Sequence, residues 1–349
     1  MLGRHGTIVS NIGFLAIAVS RRRCKYGVMS DHSTKLDIPT MRAVQQITFG
    51  GLEVLEQVEL PQPKPSPGQI LIAVHAAGLN PTDWQHRATG IFVKSLPLVL
   101  GWDVSGVVEA TGFGVTIFEP GDEVFGMLPY PHGVGAHAEY ATGPARAFAP
   151  KPSGIGHVEA AALPLAALTA YQALVDTAHL QRGQRVLIHA AAGGVGHLAI
   201  QIAKARGAYV IGTASAAKHD FLRGLGIDEV IDYQRNDFTD AVDNVDVVLD
   251  PISGETRTRS LNVLRRGGVI VSLRPGTEGD VEKAAELGVR EKTLLVEHDQ
   301  AGMQAIAELV RDGKLRAHVE EVFALSEAAN AHRRGETGRT TGKLVYATR

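Results

Sequence analysis

A continuous buried-strand pattern, Arg185-Val186-Leu187-Ile188-His189-Ala190, runs directly into Ala191-Ala192-Gly193-Gly194-Val195-Gly196, and this junction restricts the fold more than any other stretch of the chain. Beyond the glycines, Val195, Leu198, Ala199, Ile202 and Ala203 recur at i, i+3, i+4, i+7 and i+8, which predicts a helix over 193–207. The same grammar continues. Strands at 209–213, 229–233, 245–250, 269–273 and 293–297 are spaced by helices around 218–225, 255–264 and 301–312. Such alternation builds a parallel sheet with helices on both faces, a doubly wound α/β unit.

The flanking text is different. Short β-prone runs at 41–49, 52–60, 69–77, 104–110, 123–127 and 137–142 are punctuated by glycine and proline, with a Pro-rich connector at 61–68. They predict a compact, barrel-like β domain. Helical signal begins only at 158–176, where Ala and Leu dominate, and strands at 318–323 and 344–347 return to the first domain. A length of 349 residues suits two such domains. The expected division is 41–165 with 314–349 for the β domain and 166–313 for the doubly wound one.

Residues 1–40 match neither. The apolar stretch from Ile12 to Val19 is too short to span a bilayer, and Arg21-Arg22-Arg23 follows it where a signal peptide would have basic residues first. A disordered extension or a start placed too early is the expectation, with Met29 and Met41 as other starts; a targeting or anchoring role is the alternative. The net charge of −2 leaves no basic excess for nucleic acid. The one cysteine forms no internal disulfide and no Cys-rich zinc lobe.

The glycine junction has the context of a dinucleotide fingerprint, with Ala191 in the first glycine position of an A-x-G-x-x-G pattern. Gly193 lets the backbone approach a pyrophosphate, and Gly196 permits close helix–strand packing. The N–H groups of Gly194, Val195 and the helix start favour phosphate charge. A structural tight turn is the alternative. An NAD site would carry an acid about 20 residues beyond the loop. Here the segment is Gly212-Thr213-Ala214-Ser215-Ala216-Ala217-Lys218-His219, with no acid before Asp220. Ser215 and Lys218 are therefore candidates for a 2′-phosphate, and the cofactor expected is NADPH; the alternative is a solvated helix start.

Several further motifs resemble the medium-chain dehydrogenase/reductase superfamily, in its zinc-free quinone oxidoreductase branch. They are Ala77-Gly78-Leu79-Asn80-Pro81-Thr82-Asp83, Leu100-Gly101-Trp102-Asp103-Val104-Ser105-Gly106, Pro120-Gly121-Asp122-Glu123-Val124, Gln201-Ile202-Ala203-Lys204 and Gly338-Arg339-Thr340-Thr341-Gly342-Lys343. The resemblance runs from Met41 to Arg349. It implies a GroES-like β-barrel catalytic domain plus a doubly wound Rossmann nucleotide-binding domain, with the active site between them. Zinc members hold their metal with a Cys, a His and an acid; the matching positions are Asn80, Trp102 and Asp103. Amide and indole groups are not zinc ligands, so no catalytic metal is expected. Cys24 lies outside the resembling region, and His132 and His137 are read as loop or strand residues.

Without a Lewis acid the feasible chemistry is hydride transfer to an acceptor that is already electrophilic, a quinone or an α,β-unsaturated carbonyl. The resemblance puts Asn80, Asp83 and Trp84 at the reaction centre, Thr169 near the nicotinamide and Tyr233 at the 2′-phosphate. It has Lys343 reaching the cofactor from the C-terminal segment. Trp84 and His86 stand where many relatives have a tyrosine, which leaves the proton donor open. A core aromatic is the alternative for Trp84; His86 is read as a rim residue and His189 as a satisfied structural histidine. The expected function is an NADPH-dependent quinone or enone reductase, cytoplasmic and homodimeric through an edge strand at 293–297. Its partner is a small-molecule electrophile, with no nucleic acid and no membrane. The alternatives are an enoyl-thioester reductase and a non-catalytic NADPH-binding protein. The pocket walls are expected from the loops at 127–132 and 275–280.

Overall fold

In a computed structural model, which describes residues 38–133 and 135–349, the apolar run at 185 forms a strand in the middle of a six-stranded sheet. The readings made for residues 1–37 lie outside the described residues. The strand order is Glu229–Asp232, Tyr209–Ala214, Arg185–Ile188, Val245–Asp250, Leu264–Ser272 and Arg290–Thr293, and every neighbouring pair is parallel. Side chains alternate between faces along a strand. Val186, Ile188, Val247, Leu249, Val269 and Val271 join the main core, while Leu187, Ile211, Val248 and Ile270 form a second core on the other face. Both faces are dry, so these strands read as unbroken apolar runs. The chain order reverses between Arg185–Ile188 and Val245–Asp250, which opens a crevice at the strand ends.

The β-rich part is a seven-stranded sheet with a three-stranded one beside it. Its longest member, Gln69–Leu79, pairs antiparallel with Lys343–Ala347, Asp103–Thr111 and Tyr140–Pro144. Strand Val319–Ala324 lies outside Lys343–Ala347, so the chain does return to this sheet after the parallel one. Trp102, Phe125, Phe148 and Tyr346 are fully buried here. Gly106 sits where two strands cross closely: a Cβ there would lie 2.1 Å from the Ala73 carbonyl oxygen.

Four readings need correction. The run at 52–60 is a short turn, Leu52–Val54, followed by strand Glu56–Pro61, because Gly51 donates its N–H to Glu53 and bends the chain. The helix expected over 158–176 is three pieces, His157–Ala161, Pro164–Tyr171 and a widened turn at Gln172–Thr177. Pro164, which has no N–H, starts a new helix and breaks the old one. The strand at 137–142 is Tyr140–Pro144, leaving His137 in the preceding loop. The strand expected at 293–297 is Arg290–Thr293, and Leu294, Leu295 and Val296 leave the sheet edge to line the central cleft. Among the described residues no helix is long and apolar enough to cross a membrane.

One helix start positions the site. Helix Pro81–Thr89 begins at Asn80, whose backbone N–H donates to Asp83 Oδ2 at 2.7 Å. The carboxylate of Asp83 thus caps the helix, and the Asn80 side chain is left for other partners. Asp83 is fully buried. Burial pushes its carboxyl up to about 8, against the pull of the Asn80 N–H and with the Asp103 charge adding to the rise. An aspartate in the unfolded chain ionises near pH 3.9. Between about pH 4 and 8 the folded protein therefore keeps a proton that the unfolded chain has lost, and stability falls as pH rises through that window. Asp83→Asn keeps the accepting oxygen and removes the titration. Urea midpoints of the wild type should fall more steeply from pH 5 to 9 than those of the variant; parallel curves would contradict the raised carboxyl.

Candidate active site

Lys343 is buried at the start of its strand, and its ammonium has three acceptors: Leu79 O at 2.7 Å, Asn80 Oδ1, and Asp103 Oδ2 at 3.4 Å. Asn80 Nδ2 donates to the same Asp103 oxygen at 2.9 Å, and the Leu165 N–H donates to Asp103 Oδ1 at 2.7 Å. Burial lowers Lys343 and raises Asp103 from their ordinary values, and each charge opposes the other's shift. The sequence reading sent Lys343 to the cofactor. Its ammonium instead ends in this cluster, where it pairs the buried Asp103 charge and satisfies Asn80 Oδ1. Its stem still borders the glycine loop: a Cβ on Gly194 would lie 3.2 Å from Lys343 Cδ.

Asn80, Lys343, Trp84, Thr169 and the segment Gly193-Gly194-Val195-Gly196 line one cleft of about 450 Å³. Asp83 does not line it; its capping role places it behind the wall, which corrects its expected place at the reaction centre. Trp84 is half-buried and serves as both wall and packing, since its ring fills the space that a side chain at Gly335 would need. Thr169 donates its hydroxyl proton to Leu165 O at 2.7 Å, so it faces the cleft as an acceptor. His86 is fully buried and no rim residue. Its Nε2 accepts from the Phe92 N–H at 3.3 Å, which puts the ring proton on Nδ1, 2.9 Å from Thr82 O. His137 is also fully buried, and burial holds it neutral, down at about 3.

Gly196 makes the close helix–strand approach expected of it. A Cβ on Gly196 would lie 2.5 Å from Ala190 O and 2.7 Å from Ala191 Cα, both backbone atoms that cannot give way. Gly193 donates to Ala190 O at 2.9 Å and closes the turn ahead of helix Gly196–Ala205, and its own carbonyl accepts the His197 N–H at 3.1 Å. His189 is engaged at both nitrogens, with Thr213 Oγ1 at 3.1 Å and Ser260 Oγ at 2.9 Å. A second compartment of about 710 Å³ brings together Gly193, Ser215, Lys218 and Tyr233. Lys218 is not a free cation: it donates to Arg339 O at 2.8 Å and Thr340 O at 3.1 Å, and burial lowers it from its ordinary value. The two compartments share Ala190, Gly193, Gly338 and Thr340, so they form one trough with the glycine loop at its middle.

Arg235 and Arg259 escaped the sequence reading, and Tyr130 was placed only as part of the wall loop at 127–132. Arg235 and Arg259 line the second compartment; Arg259 is paired with Asp237, while Arg235 is largely exposed. The closeness of Arg235 to Tyr233 in the same turn was the available signal. Tyr130 and Thr82 line the first compartment, 3.3 Å apart. Their meeting across 48 positions has no local signature.

Residues 66–153 match the family model described as alcohol dehydrogenase GroES-like domain, and residues 225–345 the one described as zinc-binding dehydrogenase. A mitochondrial NAD(P)H oxidoreductase of Mus musculus is 34% identical over 323 residues, covering 80% of this chain and 81% of that protein. A 2-methylene-furan-3-one reductase of Solanum lycopersicum is 34% identical over 336 residues, covering 90% and 81%. The structure of the quinone oxidoreductase from Coxiella burnetii is 40% identical, with a TM-score of 0.84 over 89% of this chain and all of that one. Likeness of this extent over both sheets shows that the chain is an NAD(P)H-dependent oxidoreductase of the medium-chain dehydrogenase/reductase superfamily, in its quinone oxidoreductase-like branch.

Proposed function

We propose that this protein is an NADPH-dependent reductase that passes hydride to a quinone or an α,β-unsaturated carbonyl without zinc. The observation that carries the reading is the trough itself. A basic compartment with Ser215, Lys218, Tyr233 and Arg235 lies at one end, the glycine loop at the middle, and a mostly apolar cleft with Asn80, Trp84 and Thr169 at the other. The names of the Coxiella and tomato relatives, a quinone oxidoreductase and an enone reductase, agree with it.

The residues fit a dinucleotide. Gly196 lets the helix start pack against the strand end, Gly193 leaves the loop backbone uncovered, and the helix dipole favours the pyrophosphate. A bound dihydronicotinamide supplies a hydride. Thr169 offers an acceptor to an amide N–H, and Trp84 gives a flat acceptor an aromatic wall. Leu294, Leu295, Val296 and Leu273 keep water from the reacting face. The Lys343 ammonium keeps Asn80 in one rotamer and adds positive potential where negative charge develops on the acceptor.

Zinc does not fit. Trp102 is fully buried and offers no nitrogen lone pair to a metal; Asn80 and Asp103 are held by an ammonium whose charge repels a dication. Among the described residues no three His, Cys, Asp or Glu side chains are placed to hold a metal ion. Purified protein assayed by mass spectrometry should carry no stoichiometric zinc, and 1,10-phenanthroline should leave turnover unchanged. Equimolar zinc with chelator-sensitive turnover would overturn this part.

Cofactor choice is tested at Lys218. Loss of a charge-assisted contact of roughly 1.5–3 kcal/mol should raise the KM for NADPH about tenfold or more in Lys218→Ala. The KM for NADH should stay level. Because Lys218 also holds two C-terminal carbonyls, an equal rise for both cofactors would assign it to scaffolding alone. Activity should appear with quinones or small enones; turnover of an enoyl-CoA only, or tight NADPH binding without any turnover, would favour the other two readings.

A further inference from the structure

The cleft has few protons to give. Thr169 donates its own to Leu165 O, Lys343 spends its three N–H groups on Leu79, Asn80 and Asp103, and Glu336 is bound by Arg87 at 2.5 Å. Asp83 and His86 lie behind the wall. Among the described acidic and phenolic side chains that line the cleft, Tyr130 is left. Its ring is clamped edge-on by Trp102, with centroids 5.2 Å apart, and by Phe92 at 5.9 Å. Its hydroxyl stands at the cleft, 3.3 Å from Thr82 Oγ1.

We propose that Tyr130 is the acid that protonates the oxygen anion of an enone acceptor after hydride has reached its β-carbon, an assignment that rests on the reductase reading above. The electron count is complete. A C–H bond forms at the β-carbon at the expense of a C–H bond of bound dihydronicotinamide, which is thereby oxidised by two electrons, and the π pair moves to the carbonyl oxygen. That oxygen takes the phenolic proton of Tyr130 as its O–H bond breaks, and water at the cleft mouth returns a proton to the phenolate. The enol then tautomerises to the saturated ketone.

The neighbours suit each part of this role. The imidazole N–H of His86 is committed to Thr82 O, so the Thr82 hydroxyl can donate to the Tyr130 oxygen and stabilise the phenolate. Burial raises the phenol above its ordinary value, opposed by the Thr82 contact, so the proton is in place at neutral pH. Trp102, which stands at a zinc-ligand position, has the work of orienting the acid.

The test is Tyr130→Phe, with NADPH affinity by fluorescence as the check on folding. On a small enone reduced by the wild type, kcat should fall by at least about tenfold with KM little changed, the scale of a lost general acid. A second readout needs no turnover. 4-Nitrophenolate, an oxygen anion conjugated as an enolate is, should bind the wild type and bind the variant about tenfold more weakly, as expected for a lost charge-assisted hydrogen bond. If the wild type reduces no acceptor while the variant still loses nitrophenolate affinity, the reductase reading fails and the Tyr130 contact stands. If the wild type turns over and the variant matches it in kcat and in nitrophenolate affinity, the Tyr130 assignment is wrong.

Discussion

The arrangement of the cleft depends on one buried ammonium. Taking Lys343 and Asp103 out of water costs several kcal/mol for each ion, and their attraction offsets that cost only with close geometry and full hydrogen bonding. Both conditions are met. The ammonium has three oxygen acceptors, and Asp103 also receives the Asn80 amide and the Leu165 N–H. These contacts join residues 240 and 263 positions apart. A shift of any one of three strands or of helix Pro164–Tyr171 would leave a buried charge unpaired. The cluster therefore sets where the C-terminal strand lies, more than it adds to stability.

That strand then ties the β-rich sheet to the glycine loop. Gly342 donates its N–H to Ala192 O at 2.8 Å, and its φ of 67° with His318 O only 2.2 Å from where a Cβ would be admits glycine alone. Lys218 reaches the same C-terminal segment from the far side of the loop through Arg339 and Thr340. Both compartments of the trough are thus closed by one stretch of chain. A contact at the phosphate end and a contact at the acceptor end share a support, which couples cofactor placement to the geometry at Asn80.

What could be read from the residues follows from range. The parallel sheet was legible because burial on both faces leaves a continuous apolar run, and the glycine loop because Gly196 meets backbone only a few residues away. Asn80, Trp84 and Thr169 were legible as cleft residues through the resemblance, and Ser215, Lys218 and Tyr233 do share a compartment with Gly193. Side-chain direction was not legible. The Asn-Pro-x-Asp spacing does not say that Asp83 turns back to cap the helix while Asn80 turns away. His86 looked like a rim residue because its burial depends on Trp102 and on the loop that carries Phe92. The partners of Lys343 and Tyr130 lie far off in sequence, where no periodicity reports them.

The same contacts make Asn80, Asp103 and Lys343 act as one set, with Trp102 packed on the Tyr130 side of the cleft. Replacing Trp102 by histidine would remove the ring that packs on His86 and free the Tyr130 ring on one side. Replacing Asn80 by cysteine would remove both the acceptor for Lys343 and the donor to Asp103, and so leave the buried pair short of two hydrogen bonds. A metal ion held at these positions would thus require the loss of Lys343 together with both ligand changes. The amide, the aspartate and the lysine hold one another in place, and Asn80 and Lys343 thereby form a fixed wall of the cleft beside the glycine loop.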